Sequence, residues 1–176
     1  MPVLPPFMKP PLLPSEVLRR VVRVSVFDGA SVLLVAGACA LVSAATRDVF
    51  AAVIGLLVAG AGAMELSGAS RLRHGDARGM RLLFWSHFQI GASMMVYVAV
   101  RLLNPEIEPL RKAVTPELAE QIQQVGMSVD QFLLEMMRIV YFSLVAATLL
   151  YQGGMTIYYM RRRAAVMAAL QEDDPQ

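Results

Sequence analysis

The chain has 176 residues, of which 56% are hydrophobic and 17% charged, and its net charge is +2. That is too apolar for one soluble domain of this length, and a balance so close to neutral gives no reason to expect a nucleic-acid partner. The single cysteine, Cys39, excludes an intrachain disulfide, a CxxC redox pair and a thiolate-rich metal site.

The apolar residues are gathered into blocks. Val24 to Ala45, Val49 to Leu66, Leu82 to Val100 and Ile139 to Met160 each approach the roughly 20 residues a helix needs to cross a bilayer core. The expected fold is an all-α integral membrane four-helix bundle. Basic residues fall into three clusters: Lys9, Arg19, Arg20 and Arg23 before the first span, Arg71, Arg73, Arg78 and Arg81 between the second and third, and Arg161, Arg162 and Arg163 after the fourth. By the positive-inside rule all three are cytoplasmic, which puts both termini inside and agrees with an even number of spans. The location expected is a cell membrane.

In chain order, residues 1–14, "MPVLPPFMKPPLLP", carry prolines too dense for a helix or strand and form a cytoplasmic leader. Residues 15–46 hold an interfacial turn and the first transmembrane helix, with Ser15 as N-cap and Glu16 in the first turn. Thr46 is expected to cap the second helix, residues 47–75. There Gly55, Ala59, Ala63 and Ser67 recur every four positions, a spacing that lets another helix come close and marks this helix as the packing centre or a contact between subunits.

"HGD" at His74 to Asp76 reads as a helical hairpin, with Gly75 ending one helix and Asp76 capping the third, residues 76–103. Arg71, Arg73, Arg78 and Arg81 there, like Arg161 to Arg163, are placed to contact anionic lipid headgroups. Residues 104–128 form an extracytoplasmic loop with a short amphipathic helix, started by Thr115 and Pro116 and stopped at Gly126. Ser128 and Gln131 make a capping box for the fourth helix, residues 129–163. Gly153 and Gly154 permit a bend or close packing in it, Tyr158 and Tyr159 suit the inner interface with Trp85, and residues 164–176 remain as a cytoplasmic tail.

Ionisable groups inside a span are costly and point to function. Asp28, Glu65 and His87 lie at similar depth near the cytoplasmic side, with Gln89 and Gln152 not much deeper. Three chemistries fit this candidate cluster. It could hold a divalent cation of open identity, relay protons, or act as neutralised glue, Asp28 pairing with Arg23 or a hairpin arginine and Glu65 with Arg71 or His87. Arg101, Arg138, Glu135 and Asp48 suggest a second polar layer at the far end. Met94-Met95 and Met136-Met137 read as packing. No nucleophile motif, HExxH or phosphate loop is present, and no cofactor is expected.

The segments "ELSGASRLRHGDARGM", "TPELAEQIQQVGMS" and "LLYQGGMTIYYMRRR" resemble small four-helix inner-membrane proteins of bacteria, whose function is unknown. The resemblance implies a multi-pass protein and brings no activity with it. The leading expectation is a non-enzymatic subunit or accessory factor acting through helix contacts, with membrane lipids and a second copy or another membrane protein as partners. The alternative is a proton- or cation-coupled channel or carrier using the inner cluster.

Overall fold

The computed structural model describes residues 13–172, so most of the proline-rich leader and the last four residues lie outside the described residues. Six helices and no strand make up this part: α1 (Pro14–Ala45), α2 (Val49–Arg73), α3 (Gly79–Leu103), α4 (Glu108–Arg111), α5 (Pro116–Gln124) and α6 (Val129–Glu172). Four of them, α1, α2, α3 and α6, are long and apolar enough to cross a membrane. Every described proline lies at a helix start or in a connection, where its missing N–H costs nothing.

Helix ends follow local chemistry, with some changes from the expected assignments. Leu13, not Ser15, is the N-cap of α1, because Pro14 supplies the first helical turn with its preset φ and the Glu16 carboxylate accepts the Leu13 N–H at 3.4 Å. Thr46 ends α1 instead of starting α2. Its hydroxyl turns back to the Val42 and Ser43 carbonyls, and Asp48 caps α2 by accepting the Ala51 N–H at 3.0 Å. The chain reverses in between through Arg47, whose φ is +64°. At the hairpin Gly75 takes φ +80°, and Asp76 accepts the Arg78 N–H at 2.8 Å in the turn that leads into α3. Thr115 caps α5, and the Ser128 and Gln131 side chains exchange hydrogen bonds with each other's backbone N–H at the start of α6.

Two glycine contacts bring the first three helices together. A Cβ at Gly62 would stand 2.7 Å from Leu33 N and 2.8 Å from Gly29 O, so α1 and α2 touch backbone to backbone. A Cβ at Gly79 would stand 2.5 Å from Gly68 O, which does the same for α2 and α3. Of the expected packing row, Gly55 lies against Ala40 and Ala59 is buried, but Ala63 and Ser67 are exposed. The working face of α2 instead runs along Gly55, Gly62 and Ala69, every seventh residue, because a helix packed along its length presents a repeat nearer 3.5 than 4.

Helix α6 crosses the open side of this trio and buries only 6% of its apolar window, against 22–33% for the other three long helices. Its 44 residues make a rod of about 66 Å, twice what a bilayer core requires. Residues 164–172, expected as a tail, continue this helix: Val166 is buried with Val17, Val21, Val22, Ala69, Leu72, Met80, Leu83 and Tyr159 at the arginine-bearing end, and Ala169 is buried as well. Gly153 and Gly154 serve no close approach, since a Cβ at either would meet nothing within 4 Å.

Candidate functional site

Four helices each deliver one group to a buried cluster about two turns from the arginine-bearing end. Asp28 comes from α1, beside Gly29, where α2 lies in backbone contact. Glu65 comes from α2, one turn past Gly62. His87 comes from α3 and Gln152 from α6. The ligand atoms of Asp28, Glu65 and His87 all lie within 4.8 Å of one another, and the three residues are 6%, 0% and 1% exposed. Glycine contacts on either side of Glu65 are what bring these groups so near, since any larger residue at Gly29, Gly62 or Gly68 would hold the helices apart.

Each of the three has one polar atom held by a neighbour and one left free. The Tyr151 hydroxyl donates to Asp28 Oδ1 at 2.5 Å, and the Tyr159 hydroxyl donates to Glu65 Oε1 at 2.8 Å. His87 Nδ1 lies 2.6 Å from Gln152 Oε1, an acceptor, a contact that fits the tautomer with the proton on Nδ1. Among the described residues, Asp28 Oδ2, Glu65 Oε2 and His87 Nε2 have no hydrogen-bond partner. The His87 Nε2 atom is 3.6 Å from Glu65 Oε1, beyond hydrogen-bond reach. Ser25 completes the surroundings, its hydroxyl 2.9 Å from that of Tyr159, whose ring stacks on the His87 imidazole with centroids 5.3 Å apart.

Sequence reasoning placed Asp28, Glu65 and His87 at one depth with Gln89 and Gln152 not much deeper, and the structure brings the first three together with Gln152. Gln89 does not join them: its amide donates to the Leu57 carbonyl at 2.9 Å and ties α3 to α2. Asp28 has no arginine partner, neither Arg23 nor one from the hairpin; its partner is Tyr151. Tyr159, expected at the lipid interface, is fully buried. Tyr151, Tyr159 and Ser25 were missed. The available signal was spacing, because Gln152 and Tyr159 are seven apart on one face of α6, as Ser25 and Asp28 are three apart on α1.

The basic residues lie outside this cluster. Arg71, Arg73, Arg78, Arg81, Arg161 and Arg163 are exposed at the same end of the bundle; Arg71 is 3.5 Å from Asp76, and Arg162 lies 5.1 Å over the Tyr158 ring. At the other end, the expected four-residue layer divides into two pairs. Arg101 meets Asp48 and also Glu106, 3.3 Å away, while Arg138 bonds only Glu135 on its own helix at 2.7 Å.

The fold and cluster define an all-helical chain with four membrane-capable helices and a buried set of two carboxylates and an imidazole between them. No family model matches the chain, and no curated protein or solved structure matches it either.

Proposed function

We propose that the chain is a multi-pass protein of a bacterial inner membrane, with both termini cytoplasmic, that binds and passes a cation as a small channel or carrier. The observation that carries this reading is the trio of buried, unpartnered atoms Asp28 Oδ2, Glu65 Oε2 and His87 Nε2. Polar groups whose role was to hold helices together would have their hydrogen bonds satisfied, since an unmet buried acceptor costs about 1–3 kcal/mol. A cation supplies the missing partner for all three. Helix α6, the least covered of the four, closes one side of the cluster through Tyr151, Gln152 and Tyr159, so its movement would open a way in.

The test is purified protein in liposomes loaded with a pH-sensitive or a metal-sensitive dye. Wild-type vesicles should pass protons or a divalent metal faster than protein-free vesicles, and Glu65→Gln should abolish this while eluting at an unchanged size. Wild-type vesicles no leakier than empty ones, or a Glu65→Gln chain as active as wild type, would overturn the proposal.

A second reading, a subunit or accessory factor acting through helix contacts, is supported by the apolar side of α6. Ile139, Val140, Phe142, Leu149 and Leu150 are each more than half exposed there. Under this reading α6 docks a second copy or another membrane protein, and the arginines at the cytoplasmic end rest on anionic lipid headgroups.

A further inference from the structure

We infer that Asp28, Glu65 and His87 form a site for one divalent first-row transition-metal ion, such as Zn²⁺, with Tyr151, Tyr159 and Gln152 orienting the three ligands. This inference rests on the reading of the cluster as a cation site and names the class of cation.

Three observations carry it. The first is the division of labour within each ligand. In metal sites, a ligating imidazole gives its other ring N–H to a carbonyl or carboxylate, and ligating carboxylates are themselves hydrogen-bonded. Here Gln152 Oε1 stands 2.6 Å from Nδ1, placed to accept its proton and leave the lone pair on Nε2, while the tyrosine hydroxyls donate to Asp28 Oδ1 and Glu65 Oε1. The atoms left free, Oδ2, Oε2 and Nε2, are the donors an ion requires.

Charge is the second. Asp28 and Glu65 place two carboxyl groups in an apolar bundle, and once ionised they would bring two negative charges into it. No lysine or arginine pairs with either among the described residues, and the one basic group facing them is the His87 imidazole, 3.6 Å from Glu65. Buried charge is tolerated when it is paired or bound to a metal, and a divalent ion balances this pair with neutral imidazole as third ligand.

Distance is the third. Ligand atoms about 2.0–2.2 Å from one ion stand roughly 3.0–3.5 Å apart. One donor atom from each of the three residues falls within 4.8 Å of the others, and His87 Nε2 is 3.6 Å from the Glu65 carboxyl group at its Oε1. Closing from 4.8 Å to that spacing needs shifts of about 1 Å. Two oxygens and one nitrogen favour Zn²⁺, Mn²⁺ or Fe²⁺ over Mg²⁺ and Ca²⁺, which take oxygen alone, and over Cu⁺, which takes sulfur. Three protein ligands also leave a coordination position open, as a site that loads and releases an ion requires.

The test is equilibrium binding to the full-length chain in detergent, without an affinity tag and stripped with chelator. Titrated Zn²⁺ should bind at one ion per chain and withstand a hundredfold excess of Mg²⁺. His87→Gln should lose this binding, whereas His74→Ala, which alters the only other histidine, should keep it. Gln152→Ala should weaken it about 10–100-fold, and Gln152→Glu should restore it.

If a ligand variant fails to fold, the wild-type chain decides. In ¹⁵N spectra, Zn²⁺ should shift His87 Nε2 while Nδ1 keeps its proton. Absence of stoichiometric Zn²⁺ binding by wild type, or an unmoved Nε2, overturns the inference. One bound Zn²⁺ per chain in a protein that moves no cation across liposomes supports the metal site and removes the carrier reading. Proton flux with no Zn²⁺ binding does the reverse.

Discussion

Gly62→Ala should split α1 from α2 and spread the cluster. Its new Cβ would stand 2.7 Å from Leu33 N, 2.8 Å from Gly29 O and 3.1 Å from Leu33 Cα. All three are backbone atoms, so no side chain can swing aside, and ordinary contact begins near 3.4 Å. The helices must therefore part by about 0.7 Å, the difference between 3.4 and 2.7 Å. Overpacking of this kind costs about 1–3 kcal/mol, against which alanine returns at most ~1 kcal/mol of helix propensity.

The control is Gly60→Ala in the same helix, where a Cβ meets nothing within 4 Å. It should be neutral or slightly stabilising, since only the propensity gain applies. Reversible unfolding in mixed mild and denaturing detergent should place Gly62→Ala below wild type and Gly60→Ala at or above it. Zn²⁺ affinity should fall in the first variant alone, because Asp28 and Glu65 sit on the two helices pushed apart. Equal unfolding midpoints for the two variants would refute the backbone contact and the account of how the cluster is assembled.

Tyr159→Phe keeps the ring in the core and removes the hydroxyl shared by Glu65 and Ser25; it should cost about 1–3 kcal/mol in the same unfolding assay, and a smaller loss would show the hydroxyl replaced by water. At Asp48, substitution by Asn should keep the cap on Ala51 N–H and lose the attraction to Arg101, while Ala loses both and should be the less stable by about 1 kcal/mol. Glu117 titrates below the ordinary carboxylate range, held there by its own backbone N–H and then by the Thr115 hydroxyl. Its support for α5 is therefore present at neutral pH and is lost as pH falls through that lowered value. Thr115→Ala should move the Glu117 titration upward in carboxyl ¹³C NMR, and an unchanged midpoint would remove Thr115 as a cause.

The number of long helices and the turns between them were legible in the sequence because they depend on local chemistry. A run of about 20 apolar residues without proline forms a helix in any apolar surroundings, and Gly75, Thr115, Gly126 and the Ser128–Gln131 pair set their turns through backbone bonds a few residues long. Counting residues from the arginine clusters likewise gave Asp28, Glu65 and His87 a common depth, with Gln89 and Gln152 not much deeper. Their orientation was not legible, because four-residue spacing on α2 suggested Gly55, Ala59, Ala63 and Ser67 as its packing face, while Ala63 and Ser67 are exposed and the backbone contacts run from Gly55 to Gly62. Rotation about a helix axis depends on every neighbouring helix at once. Tertiary packing alone therefore decided that Tyr159 turns from the lipid to Glu65, that Asp28 meets Tyr151 and no arginine, and that Gln89 leaves the cluster for Leu57.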